Sequence, residues 1–163
     1  DDRSLPIGWD QTISQPYIVA YMTEALEAGP TDTVLEIGTG TGYQTAILAA
    51  IAREVLTIEV VPELAERARE TLAATGVGNV QVLAGSGWHG WPERAPFPRI
   101  IVTAAPPHLP QALVDQLAVG GRMVVPIGTG LQEMMIVTKT ETGIAGRRTI
   151  PVRFVPMIDP DKE

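Results

Sequence analysis

The sequence has no cysteine, which excludes disulfides and thiolate-held metals and fits a reducing compartment. It has two histidines, too few to build a zinc site without cysteine. Basic residues are scarce: 12 Lys and Arg stand against 19 Asp and Glu, for a net charge of −7. Apart from Arg147, Arg148 and Arg153 the cations are scattered, so the electrostatic footprint of a DNA or RNA binder is missing. No apolar run approaches the roughly 18 residues of a membrane span. Neither nucleic acid nor a membrane is therefore expected as a partner. What remains is a chain of 163 residues, 45% hydrophobic and 19% charged. That is the composition of one soluble globular domain, over 1–163, burying about two thirds of its unfolded surface. The chain opens on Asp1-Asp2-Arg3 with neither methionine nor a signal-peptide pattern, as expected of a fragment, a processed form or a trimmed chain.

The stretch Val34-Leu35-Glu36-Ile37-Gly38-Thr39-Gly40-Thr41-Gly42-Tyr43 organises the rest. An apolar run stops at three alternate glycines and continues into Gln44–Ala50, which reads as strand, tight turn and helix. Such a turn brings a ligand close to the backbone and offers it the unpaired N–H groups of a helix N-terminus. Before it, residues 1–15 show no sustained period and are expected to be a loop. Pro16 then starts a helix that Gly29-Pro30 stops, with Ser14 at its mouth as a candidate N-cap. After the turn, strands are expected at Val55–Glu59, Val80–Leu83, Arg99–Ala105 and Arg122–Pro126. Helices are expected from Pro62 to near Gly76, with Leu64, Ala65, Ala68 and Leu72 on one face, and over Pro110–Ala118, with a turn at Gly120-Gly121. Gln132–Thr138 and Arg147–Val155 read as a β-pair joined across Glu141-Thr142-Gly143. The fold class is therefore α/β, a doubly wound, mostly parallel sheet with a C-terminal antiparallel β-pair.

In open α/β sheets ligands bind beyond the carboxyl ends of the strands. Glu59 ends the second strand about 20 residues beyond Gly38, where this architecture places an acid against the ribose hydroxyls of an adenosine ligand. Ser86 and Gly87 leave the third strand toward the adenine edge, with Trp88 or Trp91 as a wall; Trp91, before Pro92, reads equally well as packing under a long loop. His108 leaves the fourth strand toward the same crevice as a candidate base or substrate contact, although nothing near it in sequence pairs with it. Dinucleotide sites usually want Gly-x-Gly-x-x-Gly to cradle a pyrophosphate. The tighter Gly38-x-Gly40-x-Gly42 suits S-adenosylmethionine, while an NAD-dependent oxidoreductase remains an alternative.

Further segments sharpen this. Leu5-Pro6-Ile7-Gly8, Gln11-Thr12-Ile13-Ser14-Gln15-Pro16, Val34–Gly42, Ala95-Pro96-Phe97, Arg99–Ala105, Gly120-Gly121-Arg122 and Pro151-Val152-Arg153-Phe154-Val155-Pro156 resemble, in order, the protein-L-isoaspartate O-methyltransferases over nearly the whole chain. The resemblance implies a Rossmann-like class I methyltransferase fold and S-adenosyl-L-methionine as cofactor. It also implies methylation of the free carboxylate of isoaspartyl residues in damaged proteins and peptides, a repair activity of the cytoplasm, here by a monomer. It carries the catalytic role to Ser14 and substrate contacts to Gln11, Thr12, Ile13 and His108, with residues 1–15 as a lid over the site. The cofactor set is Glu36, Gly38, Thr39, Gly40, Gly42, Glu59, Val60, Ser86, Gly87 and Thr103; no metal is expected. The chain departs from the family pattern at Gly85-Ser86-Gly87, usually Gly-Asp-Gly, at Asp10, usually glycine, and at Pro98, usually aspartate. Most of the family's N-terminal helical region is missing from it. Two readings stay open beside repair: an O-methyltransferase for another peptide or small-molecule carboxylate, and a cofactor-binding module without turnover.

Overall fold

The computed structural model describes residues 5–8, 11–13 and 15–162, the first two stretches as backbone only. Strands β1 (Leu5–Gly8) and β2 (Gln11–Ile13) pair antiparallel, with Leu5 opposite Ile13 and Pro6 opposite Thr12. The expected loop over 1–15 is thus corrected to a small hairpin. Strands of three and four residues offer too little alternation to be read, and Pro6 and Gly8 mask what there is.

Helix α1 spans Pro16–Leu26, with Pro16 in its first turn and Val19, Met22 and Leu26 buried. Its N-cap is Gln15, without a side-chain capping bond, so the cap expected at Ser14 falls one residue later; Ser14 itself lies outside the described residues. The helix ends at Glu27, held left-handed at φ 54°, two residues before the expected Gly29 stop.

Strand β3 (Thr33–Ile37), helix α2 (Tyr43–Ile51), strand β4 (Glu54–Glu59), helix α3 (Pro62–Ala74) and strand β5 (Val80–Ala84) follow in alternation. Helix α3 buries Leu64, Ala65, Ala68 and Leu72, the face its spacing predicts. Strand β6 (Phe97–Val102), helix α4 (Gln111–Gln116) and the long strand β7 (Leu117–Ile127) come next. The turn expected at Gly120-Gly121 is instead part of β7, whose register against β6 shifts between Phe97 and Arg99. A Cβ on Gly121 would stand 2.7 Å from the Ala118 carbonyl oxygen and 2.9 Å from that of Pro98, and Gly120 has φ 83°, so the pair makes a bulge within β7 in which Gly121 allows the close approach and Gly120 the positive φ. The chain closes with the hairpin of β8 (Gln132–Thr140) and β9 (Gly143–Val152).

The main sheet has seven strands in the order β5-β4-β3-β6-β7-β8-β9. The first five in that order are parallel neighbours, and β8 and β9 run antiparallel. Adjacent residues face opposite sides: Leu35, Leu56, Ile100 and Met123 pack with Trp88 and Leu113, while Val34, Val55, Ile101 and Val124 pack with Met22 and Leu48. That apolar burial on both faces is what a helix-covered parallel sheet requires. From β3 the chain winds outward to β4 and β5, then crosses back to lay β6 on the other side of β3. The crevice between β3 and β6 is therefore the switch point where such folds hold ligands.

Candidate active site

At the carboxyl end of β3 the chain turns through Gly38, Gly40 and Gly42, at φ 97°, 56° and 86°. Gly38 has a second reason to be glycine: a Cβ there would overlap the Thr103 hydroxyl. That hydroxyl bridges the turn to β6, donating to the carbonyls of Ile37 at 2.9 Å and Gly38 at 2.8 Å. Across the turn, Glu59 accepts the Gly40 N–H at 2.8 Å on Oε1 and the Val61 N–H at 3.0 Å on Oε2. Among the described residues nothing lies within 4 Å of a Cβ built on Gly40, which leaves room for a ligand directly on the backbone there.

Around this turn lies a cavity of about 940 Å³. One wall is the turn with Glu59 and Val60; a second is Ser86, Gly87 and Trp88. Ser86 Oγ accepts the Trp88 N–H at 3.2 Å, which leaves the hydroxyl proton free to donate. The far wall is the strap 151–158, stitched to the end of β6 by Ala105 N–H to Val155 O and Met157 N–H to Ala105 O, both 2.8 Å. Gln132 clamps the strap by donating to Phe154 O at 3.0 Å and accepting from Phe154 N–H at 2.7 Å.

Beneath the turn, Glu36 is wholly buried. Its Oε1 accepts from the hydroxyls of Thr45 and Thr57, and its Oε2 has no partner among the described residues. Burial pushes its carboxyl from the ordinary 4.5 up to about 7, against the pull of the Thr45 and Thr57 hydrogen bonds and with a further push from the Glu59 charge. Thr57 spends its only proton on Glu36, so Thr39 is the donor in the 2.6 Å contact between the two hydroxyls.

The sequence profile of the protein-L-isoaspartate(D-aspartate) O-methyltransferases matches residues 1–162. The chain belongs to that family. It is 57% identical over 159 residues to the protein-L-isoaspartate O-methyltransferase of Gloeobacter violaceus, covering 96% of this chain and 78% of the relative. The enzyme of that name from Picosynechococcus is also 57% identical, over 96% of this chain and 70% of its own length. Among solved structures, a protein-L-isoaspartate O-methyltransferase superposes with a TM-score of 0.88 at 29% identity, over 96% of this chain; the chain spans 52% of that protein, about half its length. A protein from Plasmodium falciparum described as a putative member, solved in complex with S-adenosyl-L-homocysteine, superposes with a TM-score of 0.83 at 25% identity, over 97% of this chain and 81% of its own.

Of the cofactor residues expected from this family's pattern, Gly38, Thr39, Gly40, Glu59, Val60, Ser86, Gly87 and Thr103 line the cavity. Glu36 does not. Strand alternation turns it to the face that α2 covers, against Thr45. Gly42 does not line it either, because it is the N-cap of α2 and backs onto Ala68 and Leu72. His108 is exposed and outside the lining; its ring meets Trp88 edge-on, 5.7 Å between centroids. Trp91 is likewise outside it, its backbone N–H donating to Gln116 Oε1 at 2.8 Å. Gln11, Thr12 and Ile13 lie on β2, two residues from Gln15 at the cavity's edge. Sequence reasoning missed the part played by Gln132 and the strap, since the contacts that bring them to the turn are made only in the folded chain.

Proposed function

We propose that the chain is a cytoplasmic, monomeric carboxyl O-methyltransferase that esterifies the free carboxylate of L-isoaspartyl residues in damaged proteins and peptides. The observation that carries this is the identity of more than half its residues with relatives named for that reaction, on a cavity built for an adenosyl ligand. The residues fit S-adenosylmethionine. Gly40 is open to close approach, and each Glu59 carboxylate oxygen takes one backbone N–H, which leaves lone pairs for ribose hydroxyls. When bound, that cofactor supplies an electrophilic methyl group on a positively charged sulfur.

The protein's own residues have little acid–base work. An isoaspartyl carboxylate is ionised at neutral pH and attacks through oxygen without a base, so the site's task is alignment and exclusion of water. In this reading the Gly38–Gly40 backbone holds the cofactor's amino-acid end, Glu59 its ribose, and Ser86 and Gly87 its adenine edge. Ser14 donates to the acceptor carboxylate, Gln11, Thr12 and Ile13 shape its pocket, His108 contacts the peptide farther out, and 1–15 close over the site. A second reading, cofactor binding without turnover, draws on Ser86, a weaker acceptor than the family's usual aspartate. Methyl transfer from S-adenosylmethionine to an isoaspartyl peptide, with the aspartyl peptide as control, tests both. Transfer to the isoaspartyl peptide alone is expected; equal transfer to both, or binding without transfer, overturns the repair reading.

A further inference from the structure

Resting on that reading of the reaction, we propose that Arg153 captures the carboxylate of the isoaspartyl acceptor at the cavity mouth. Among the described residues lining the cavity, Arg153 is the one cation and Glu59 the one anion. The Glu59 charge already faces two backbone N–H groups. Arg153 has no partner among the described residues, whereas Arg94, Arg99 and Arg122 each pair with a carboxylate. Its place is held from both sides. Val152 and Phe154 pack into the core beside α1 and α2, Gln132 clamps Phe154, and Ala105 fixes Val155 and Met157. A side chain between two inward-packing neighbours on a pinned strap is left exposed at the cavity's edge.

The chemistry selects the occupant. On a protein of net charge −7, an anionic acceptor is repelled at long range, and a guanidinium at the mouth with no carboxylate partner among the described residues offers it a local attraction. Its planar fork matches a carboxylate better than an ammonium would. The cofactor also carries a carboxylate, but the glycine turn on the opposite wall is where its amino-acid end is expected. Arg153 therefore binds the acceptor through the oxygen that does not attack, and acts on capture and orientation rather than on the transfer step.

The test uses an acetylated, amidated peptide whose only carboxylate is the isoaspartyl one. Arg153→Gln is expected to raise KM for this peptide about two- to fivefold, with the loss falling on KM rather than kcat, and to leave the Kd for S-adenosylhomocysteine unchanged by calorimetry. Arg153→Lys keeps the charge and loses the fork, so its KM falls between the two. The wild-type KM should also rise with added NaCl more steeply than that of Arg153→Gln. An unchanged KM in Arg153→Gln beside an active wild type overturns the assignment alone, as does a weakened Kd for S-adenosylhomocysteine with no change in KM. A wild type that fails to methylate the peptide overturns the proposed reaction itself, and the role of Arg153 with it.

Discussion

Glu59 and Gly40 are joined across a separation of 19 residues by a 2.8 Å hydrogen bond from the glycine N–H to the carboxylate. The acid that sits where ribose hydroxyls are expected is thus also the strut that sets the glycine turn, so cofactor affinity and turn geometry share one side chain.

Glu59→Gln separates charge from shape. Glutamine offers one acceptor oxygen where two backbone N–H groups now bind, so one of them is left facing an amide NH2. The Kd for S-adenosylhomocysteine is expected to rise about ten- to a hundredfold, and stability to fall by about 1–3 kcal/mol. Calorimetric titration and denaturant unfolding measure the two. An unchanged Kd removes Glu59 from cofactor binding.

Glu36 makes stability depend on pH. Its folded carboxyl, raised by burial from 4.5 to about 7, holds a proton that the unfolded chain has already released across that window. The native state then binds more protons, so stability is highest below the unfolded value and declines as pH rises through about 7. The cost at full ionisation is on the order of 3 kcal/mol. In Glu36→Gln the decline between about pH 5 and pH 7.5 should flatten. Identical slopes in melting temperature against pH for the two proteins would count against the raised carboxyl.

Gly38→Ala carries two faults, a side chain at φ 97° and an overlap with the Thr103 hydroxyl. A loss of about 2–4 kcal/mol is expected. Adding Thr103→Ala removes the overlap but not the backbone strain, so the double variant should recover part of the loss. Strict additivity in a double-mutant cycle would show that the two residues do not press on one another.

Ser14→Ala tests the acceptor side. Turnover with an isoaspartyl peptide is expected to drop about ten- to a hundredfold, with the affinity for S-adenosylhomocysteine intact. Full retained turnover removes Ser14 from the proposed role.

The central βαβ order was legible because its signals are local. Val34–Ile37 and Val55–Glu59 are apolar runs closed by glycines or an acid, and the spacing of Leu64, Ala65, Ala68 and Leu72 marks the one buried face of α3. The glycine turn announced a ligand site for the same reason. What was not legible depends on the tertiary structure. The β1–β2 hairpin is too short to show a period, and Gly120-Gly121 looks like a turn between elements until the register shift against β6 shows it as a bulge inside one strand, with Pro98 and Ala118 crowding Gly121. Glu36 looks like a ligand residue until alternation turns it under α2. The far wall is made by Ala105 binding Val155 and Met157, a pairing that no local pattern near either segment foretells.

That stitching of the strap to β6 has a consequence for synthesis. The glycine turn and the strap are about 110 residues apart in sequence, so a nascent chain emerging from the ribosome can form the β3–turn–α2 unit long before the second wall exists. Pairing of such distant segments comes late in folding. The cavity, with Arg153 on its later-made side, closes only once the strap has been synthesised, so copies that stop short of residue 151 keep the turn but lack the wall against which an acceptor would be held.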